Sequence, residues 1–423
     1  MTREAPRRRI LLLTDIPPCS NLTAGIVTAQ MCRFLPQDEL AIFCVMNPHL
    51  QPKLYDDLAG IEMKVVRKPT ELQHRVVYGV RVGRAGAAAI EAVKRIALPR
   101  GLIRQAIAYG RAVGATDLWA ILQGQTMVRI AAPVARGLGV PLRVHVWDPL
   151  RWWLDAHKVD PVNRRLDLAL FDRTLRQAVS CAAASVPMAR HYEKRYGVPS
   201  TAVIASIDPA LAQAPPPKLI SDDSVIIGMV GQFYASEEWE QLVAALNLAK
   251  WRVGQRKVVL MTFGHERPPT DIPDGHLRFM GWMDQPDVIR TIARHCDIAY
   301  CPYPFAERMA EVSRLSFPSK VPTYLAAGRP ILFHGPSYSA PYIYLRERGA
   351  AYLCRDLHPA AVYNGLAHLV EDSELYETTA LAARRAFLAD FTLPQMKHAV
   401  RQFLGYDVGL SGGAAPPGVS RYL

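Results

Sequence analysis

The sequence predicts an α/β protein made of two Rossmann-like, doubly wound domains, and three observations lead to this fold class. The 423 residues are too many for one ordinary core and suit two domains of about 200 residues each. Short apolar runs alternate with helical stretches along the chain, as in parallel sheets covered by helices. The proline run Pro215–Pro217 interrupts this alternation, and such runs are typical of extended linkers.

These observations divide the chain into five parts. We expect a first domain over residues 1–208, a proline-rich linker over 209–222 and a second domain over 223–390. A terminal helix follows over 391–407, and the glycine- and proline-rich residues 408–423 are expected to form a flexible tail.

The composition is that of a globular protein, because 50% of the residues are hydrophobic and 21% are charged. The seven cysteines are scattered singly, so we expect buried, reduced thiols in a cytoplasmic protein, with neither disulfides nor a cysteine zinc site. No apolar run approaches the roughly 20 residues that cross a bilayer. The apolar stretch Ile10–Leu13 is also too short for the core of a signal peptide.

The formal net charge of +12 indicates an anionic partner: nucleic acid, an anionic membrane face or a phosphorylated substrate. Basic residues concentrate between Val80 and Arg111, where the single acid is Glu91 and where Pro99 is expected to interrupt the helical pattern. They are Arg81, Arg84, Lys94, Arg95, Arg100, Arg104 and Arg111. This stretch is either a solvated helix face or a peripheral contact with an anionic membrane, to which each basic residue would contribute about 1 kcal/mol. We expect no nucleic-acid partner, because no recognition motif accompanies the charge.

The first domain opens with a buried-strand pattern over Arg9–Thr14, followed by Asp15, a polar loop that ends at Gly25, and a helical pattern over Ile26–Leu35. Doubly wound domains bind ligands beyond the carboxyl ends of their strands, so Asp15 and Gly25 are candidate cleft residues. Further strands are predicted at Glu39–Val45, Ile61–Val66, Leu118–Gln123 and Leu142–Trp147, and a helix at Pro161–Ala178.

Three candidate residues lie at the carboxyl end of the strand that begins at Leu142. His145 could act as a general base, and Asp148 could orient it or bind a hydroxyl group, while Trp147 lies between them as an acceptor-side candidate. The alternatives are a histidine packed in the core and an aspartate that starts an ordinary turn before Pro149.

The second domain repeats this opening with a strand over Ser224–Val230, then Gly231 and Gln232, then a helix over Ser236–Ala249. Further strands are predicted at Lys257–Phe263, His276–Phe279, Asp297–Cys301, Ile331–His334 and Ala351–Cys354. Further helices are predicted at Ala340–Arg348, at Leu393–Leu404 and, as a pair, at His358–Leu388.

The most informative segment is Ser316–Pro330, with the sequence SFPSKVPTYLAAGRP. Its first residues suit a tight turn, and the following residues suit a helix that begins just after Ser316 and ends at Gly328. The start of such a helix offers unpaired backbone N–H groups and the positive end of the helix dipole, and Lys320 adds a full charge. This combination predicts a phosphate site.

Ser316–Pro330 resembles the donor-binding motif of GT-B glycosyltransferases of the family 4 type, in which a phosphate-binding turn, Pro-Ser-Lys, a short helix and Ala-Gly-Arg-Pro follow in this order. The resemblance implies that Ser316, Phe317, Ser319 and Lys320 hold the diphosphate of a nucleotide sugar. In this family a Glu of the helix commonly binds the ribose, and here Thr323 takes its place among the donor-binding residues. A second family Glu, near the sugar, falls on Leu315.

The resemblance assigns further roles. Gly281 and Trp282 lie where the backbone of the family reads the nucleobase, and Gly231 and Gln232 lie in a loop that commonly carries an Arg and a Lys for the diphosphate. Glu311 is a candidate catalytic substitute for the missing carboxylate, or else an ordinary solvated side chain. On the acceptor side the resemblance places Asp15, Gly25 and Trp147.

The implied architecture is GT-B, with two domains facing across a cleft and the terminal helix crossing back to the first domain. The expected function is transfer of a sugar from a nucleotide-diphosphate sugar to a hydroxyl of a glycan or lipid-linked acceptor, with retention of configuration, in a cytoplasmic protein at or near the inner membrane face. No cofactor is expected and no metal, because the sequence contains neither Asp-x-Asp nor a His/Cys cluster. The alternatives are a catalytically degenerate binding or scaffold subunit and an epimerase of the same fold.

Overall fold

The computed structural model describes residues 7–71, 76–77, 80–81, 83–216 and 219–406. They form two units, of which one joins the chain before Ile204 to the segment from Lys397 onward and the other runs from Ile204 to Met396. The expected tail over 408–423 lies outside the described residues, as do Pro217 and the side chains of Arg81 and Arg84.

The first unit contains the strands β1 (Ile10–Thr14), β2 (Leu40–Met46), β3 (Glu62–Arg67), β4 (Val76–Val77), β5 (Val80–Arg81), β6 (Asp117–Ile121), β7 (Leu142–Val146), β8 (Ser180–Ala183) and β9 (Ser200–Ala202). Its helices are α1 (Thr23–Arg33), α2 (Arg84–Ala112), α3 (Gly124–Leu138), α4 (Leu150–Ala156), α5 (Pro161–Gln177) and α6 (Val186–Tyr196). Seven strands form one parallel sheet in the order β3-β2-β1-β6-β7-β8-β9, and every residue of β1 is buried.

The second unit contains the strands β10 (Ser224–Val230), β11 (Arg252–Val253), β12 (Arg256–Phe263), β13 (Leu277–Phe279), β14 (Ile298–Pro302), β15 (Ile331–His334) and β16 (Tyr352–Cys354). Its helices are α7 (Ser236–Leu248), α8 (Gln285–His295), α9 (Ala310–Leu315), α10 (Lys320–Ala327), α11 (Ala340–Arg348), α12 (Pro359–Glu371) and α13 (Ser373–Asp390). The last helix, α14 (Leu393–Leu404), ends in the first unit.

In each sheet the strand order reverses beside the first strand of the unit. β1 lies between β2 and β6, and β10 lies between β12 and β14. Such a reversal opens a crevice at the carboxyl ends of the strands, where doubly wound sheets bind ligands. The residues that follow β1, β6, β10 and β14 are therefore the ones positioned for a site.

The predicted fold class is confirmed, and several elements have the predicted bounds, among them β10, β15, α11 and α14. The seven cysteines are buried and free, as expected. Among the described residues, none of the helices combines the length and the apolar character that crossing a bilayer requires.

Several predicted bounds are shifted, as for α1, which was expected at Ile26–Leu35, and two differences concern how a helix begins or continues. Helix α10 begins at Lys320 and not just after Ser316, because the Ser316 amide closes α9 by donating to Val312 O at 2.8 Å and Pro318 keeps the residue before it extended. Helix α2 continues through Pro99 without interruption. Pro99 is buried and α2 packs along α3 and α5, so tertiary packing outweighs the local preference of proline to end a helix.

Candidate functional site

The structure places Lys320 at the carboxyl edge of the second sheet, as the first residue of α10. The residue is 7% exposed, and its Nζ is buried with no hydrogen-bond partner among the described residues. Burial lowers the pKa of this ammonium, although the nearby Cys301 and Glu238 oppose the shift. A buried cation without a partner is costly, and its position suits an anionic ligand.

The neighbours of Lys320 offset its charge only in part, because Glu238 and Cys301 favour the charged form without bonding to its Nζ. Its Nζ lies 4.8 Å from the centroid of the Tyr234 ring, a cation–π contact that attracts the ammonium without neutralising it. The Glu238 carboxylate is used elsewhere, since Oε1 accepts from the Phe305 amide at 2.7 Å, and burial raises its pKa. Tyr234 in turn meets Tyr303 edge-on at 6.2 Å.

Ring packing and a hydrogen bond from the Tyr303 hydroxyl fix the loop before α10. Phe317 stacks on Phe391 with ring centroids 5.4 Å apart, and Tyr303 OH donates to Ser316 O at 3.0 Å. The Ser316 amide is engaged with α9, so the amides of Ser319 and Lys320, which have no acceptor inside α10, are the ones positioned for an anion. Ser316 and Phe317 hold this loop in place, and the donor-binding roles predicted for them stay predictions.

Thr323, which the sequence resemblance aligns with a glutamate, lies on α10. It is 4% exposed, and its hydroxyl accepts from Gln285 Nε2 at 3.2 Å. A neutral pair therefore occupies this position. Glu311, the predicted substitute for the missing carboxylate, lies half-buried on α9, one helical turn before Leu315.

The loops after β10, β12 and β13 come together at the same edge of the sheet. The Gly264 amide donates to Gly281 O at 2.9 Å, and the Gly231 amide donates to Phe263 O at 2.9 Å. Trp282 is 47% exposed and stacks on His265 at 5.8 Å with an interplanar angle of 17°. This exposed aromatic face suits a planar ring such as a nucleobase. Gln232 is also exposed in this loop region.

In the first unit, the crevice beside β1 is filled by charges that pair with one another. Asp15 Oδ2 lies 3.0 Å from Lys68 Nζ, and Lys68 also contacts Glu71 at 3.5 Å. Glu71 Oε1 accepts from the Thr126 amide at 2.6 Å, in the first turn of α3. Burial raises the pKa of Asp15 even though Lys68 opposes the shift.

Gly25 lies in the first turn of α1, against the loop that follows β1. A Cβ atom at this position would come within 2.2 Å of Cys19 Sγ and 3.0 Å of Pro17 O. The glycine therefore allows the loop and the helix to approach closely.

His145 is 1% exposed and accepts a hydrogen bond from Trp147 Nε1 at 3.1 Å through its Nε2. Its ring also lies 6.3 Å from Trp119 and 5.9 Å from Phe403. Burial lowers its pKa to about 3, so the ring is neutral at neutral pH. This environment favours a packed histidine over a general base. Asp148, two residues beyond β7, is partly exposed.

Sequence reasoning missed Tyr234 and Glu238 as neighbours of Lys320. The available signal was that both follow the first strand of the second domain, where ligands bind. No group of three or more His, Cys, Asp or Glu side chains suited to a metal ion occurs within the described part of the chain.

Searches of protein families and of curated proteins found no match for this chain. Solved structures do match along nearly its whole length. HepE from Anabaena, in complex with UDP, has 14% sequence identity and a TM-score of 0.62, with 94% of this chain and 100% of that chain covered. Sucrose-phosphate synthase from Thermosynechococcus elongatus has 14% identity and a TM-score of 0.64, with 94% and 99% covered.

α,α-Trehalose 6-phosphate synthase from Burkholderia multivorans has 12% identity and a TM-score of 0.60, with 98% of this chain and 100% of that chain covered. The shared feature of these structures is the GT-B fold of glycosyltransferases, in which both domains are parallel α/β sheets. The chain described here therefore has the GT-B fold.

Proposed function

We propose that this protein is a glycosyltransferase that moves a sugar from a nucleotide-diphosphate sugar to an acceptor hydroxyl. The observation that carries the proposal is the buried ammonium of Lys320, which has no hydrogen-bond partner among the described residues. A diphosphate would supply the missing negative charge. The complexes of HepE with UDP, and with UDP and glucose, support a donor of this kind.

In this reaction the group that most needs stabilisation is the departing diphosphate. As the bond between the anomeric carbon and the diphosphate oxygen breaks, negative charge grows on the diphosphate. Lys320 provides a full positive charge, and the amides of Ser319 and Lys320 provide N–H donors at the positive end of α10. Groups preorganised in this way stabilise the transition state, and loss of one typically lowers turnover by about 10²–10³-fold.

The finer features of the reaction are part of the same proposal. Retention of configuration follows from the resemblance of Ser316–Pro330 to the family 4 motif, and proton NMR of the first product would reveal the anomeric configuration. The acceptor is a glycan or a lipid-linked sugar, and no metal ion is needed, since the sequence lacks Asp-x-Asp. Reaction in a cleft between the domains stays a prediction.

A thermal-shift screen against UDP, GDP, ADP, CMP and their common sugars tests the proposal. A ligand present at 100 times its dissociation constant stabilises the folded state by about 2.7 kcal/mol, which raises the melting temperature measurably. We expect a shift with one nucleotide diphosphate and its sugar. The absence of a shift with every one of them would contradict a nucleotide-sugar donor.

A catalytically degenerate binding or scaffold subunit is the second candidate function. It is favoured by Leu315 and Thr323, which stand where the resembled family has glutamates; Thr323 is buried and its hydroxyl accepts from the neutral Gln285. Incubation with the labelled nucleotide sugar found in the screen separates the two functions. Release or transfer of the labelled sugar supports the enzyme, whereas tight binding without turnover supports the binding subunit.

We also propose a peripheral contact between α2 and an anionic membrane. Val93 and Ile96 are 66% and 59% exposed on this helix, and Arg100 and Arg104 are exposed at the spacing that continues the same face. Flotation with phosphatidylglycerol vesicles should fall when both arginines are replaced by Gln, because each contributes about 1 kcal/mol near such a surface. Arg346→Gln, at an exposed position of α11, is the control. If the wild type floats with neither anionic nor neutral vesicles, the proposed membrane contact is contradicted.

A further inference from the structure

A groove in the first unit lies between α2 and the chain that follows β3, and it shares Lys68 with the crevice beside β1. Its volume is about 480 Å³, within the range of roughly 300–1,000 Å³ that is typical of small-molecule sites. Side chains that line it include Arg67, Lys68, Pro69, Lys94, Leu98 and Leu102.

One side of the groove is positively charged. Arg67, Lys68 and Lys94 contribute to its lining, and no acidic side chain does so within the described residues. Lys68 is compensated by Asp15 and Glu71. Lys94 forms no ion pair among the described residues: its Nζ contacts the carbonyl oxygen of Thr70 at 3.3 Å, and it interacts with the Glu91 carboxylate only through space. Two positive charges therefore remain at the groove.

Acidic groups behind the groove do not cancel this charge. Glu71 and Glu91 line a smaller pocket that adjoins it. Glu91 pairs with Arg129 at 2.7 Å, and Glu71 accepts from the Thr126 amide while it contacts Lys68. Both carboxylates are thus already engaged within the first unit.

The rest of the lining is largely apolar. Lys94, Leu98 and Leu102 follow one another at a spacing of four residues and so share one face of α2, opposite Pro69. Leu98 borders the groove and is 41% exposed. An apolar chain bound in the groove could cover this exposed side chain. A purely hydrophilic ligand would leave this surface uncovered, whereas an amphiphile with an anionic head would match both parts.

We propose that this groove binds a phosphate-bearing lipid, with the phosphate at Arg67 and Lys94 and the hydrocarbon chain along Leu98 and Leu102. The inference rests on the proposed function, because it identifies the acceptor as a phosphorylated lipid carrier. The groove lies on a different face of α2 from Val93, Ile96 and Arg100. Binding of one lipid in the groove and adhesion to a bilayer therefore involve separate residues.

Calorimetric titration of the full chain with decyl phosphate, below the concentration at which it forms micelles, tests the proposal. We expect one decyl phosphate bound per chain, with weaker binding of butyl phosphate, inorganic phosphate and the neutral decyl maltoside. The variant that combines Arg67→Gln and Lys94→Gln should lose affinity for decyl phosphate by about tenfold or more, since contacts to a charged phosphate are removed.

Two further variants test separately the position of the charges and the apolar lining. The combination of Arg100→Gln and Arg104→Gln removes the same charge from α2 outside the groove and should leave the affinity for decyl phosphate unchanged. Leu98→Ser should weaken decyl phosphate but not butyl phosphate.

No binding of decyl phosphate, equal loss in the two double variants, or equal affinity for inorganic phosphate would overturn the proposal. These results do not depend on the nucleotide site. A thermal shift with a nucleotide but no decyl phosphate binding would refute the lipid site alone.

Discussion

The two units share one architecture but treat buried charge in opposite ways. In the first unit, buried charges pair with one another: Arg129 contacts both Glu91 and Asp167, at 2.7 and 3.0 Å. In the second unit, the buried ammonium of Lys320 has no hydrogen-bond partner among the described residues. A parallel α/β sheet offers a ligand crevice in either unit. The proposed anion site therefore rests on the unpaired charge of Lys320 more than on the fold.

The energetics of buried charge explain why this difference matters. A buried ion pair roughly offsets its own desolvation, and removal of one partner leaves an uncompensated charge. In the ligand-free protein, no counter-charge offsets the desolvation cost of an unpaired buried cation. Such a cation is retained where a ligand supplies the counter-charge. We therefore expect substitutions at the paired and the unpaired charges to change stability in opposite directions.

The largest effect is expected when the paired network is broken by Asp167→Ala. Asp167 is 0% exposed and receives hydrogen bonds from Arg95, Arg129 and Gln125. Its removal should lower the free energy of unfolding by about 3–5 kcal/mol, because Arg95 loses its counter-charge and Arg129 keeps only Glu91. Urea denaturation measures the change.

Asp155→Ala is the matched control for Asp167→Ala in the same unit. Asp155 pairs with Arg164, and both side chains are largely exposed, at 45% and 37%. Loss of such a pair should change stability by no more than about 1 kcal/mol. Equal losses of unfolding free energy in the two variants would show that the buried network stabilises the fold no more than an exposed ion pair does.

The opposite sign is expected for Lys320→Met in the absence of ligand. Methionine fills a similar volume without a charge, so the variant should gain about 1–3 kcal/mol in the free energy of unfolding, the cost of leaving a buried polar group unsatisfied. The melting temperature should rise by a few degrees. Lys257→Met, at an exposed position of β12, should change stability by less than about 0.5 kcal/mol. A lower melting temperature for Lys320→Met would mean that the lysine stabilises the fold.

The buried histidines are a feature that the two units have in common. Burial lowers the pKa of His145 in β7 to about 3 and the pKa of His334 in β15 to about 4, so both rings are neutral at neutral pH. The unfolded chain binds these protons at about pH 6.5 and the folded chain does not. Stability is therefore fully present above pH 6.5 and is lost as the pH falls toward the folded pKa values.

His145→Gln should flatten this acid dependence, because Gln does not titrate and retains an acceptor for the Trp147 indole. The difference from the wild type should approach about 1 kcal/mol over the first pH unit below 6.5. Melting temperatures between pH 7 and pH 5 measure it. Parallel curves for the two proteins would contradict a buried, neutral His145.

Much of the fold could be predicted because short apolar runs bounded by Gly and Pro predict buried strands, as at Ser224–Val230 and Ile331–His334. The errors arose where tertiary packing prevails. Pro99 lies within a continuous α2, and the amide of Ser316 closes α9 and leaves the start of α10 to Lys320.

The candidate site could be predicted only in part. Lys320 was identified from its local turn and helix pattern, but the burial of its Nζ depends on Tyr234 and on Glu238, which the sequence places far away. The same holds for Asp15 and Lys68, which lie 53 positions apart and meet only because their strands belong to one sheet. Sequence patterns report local structure, whereas pairing of charges is a property of the folded chain.

The central claim is that Lys320 binds an anionic ligand, and calorimetric titration tests it most directly. The nucleoside diphosphate that gives the largest thermal shift is titrated into the wild type, Lys320→Met and Lys257→Met. We predict that Lys320→Met raises the Kd by about tenfold or more, because a charged contact to the diphosphate is lost, while Lys257→Met leaves it unchanged. The same Kd in all three proteins would contradict the claim.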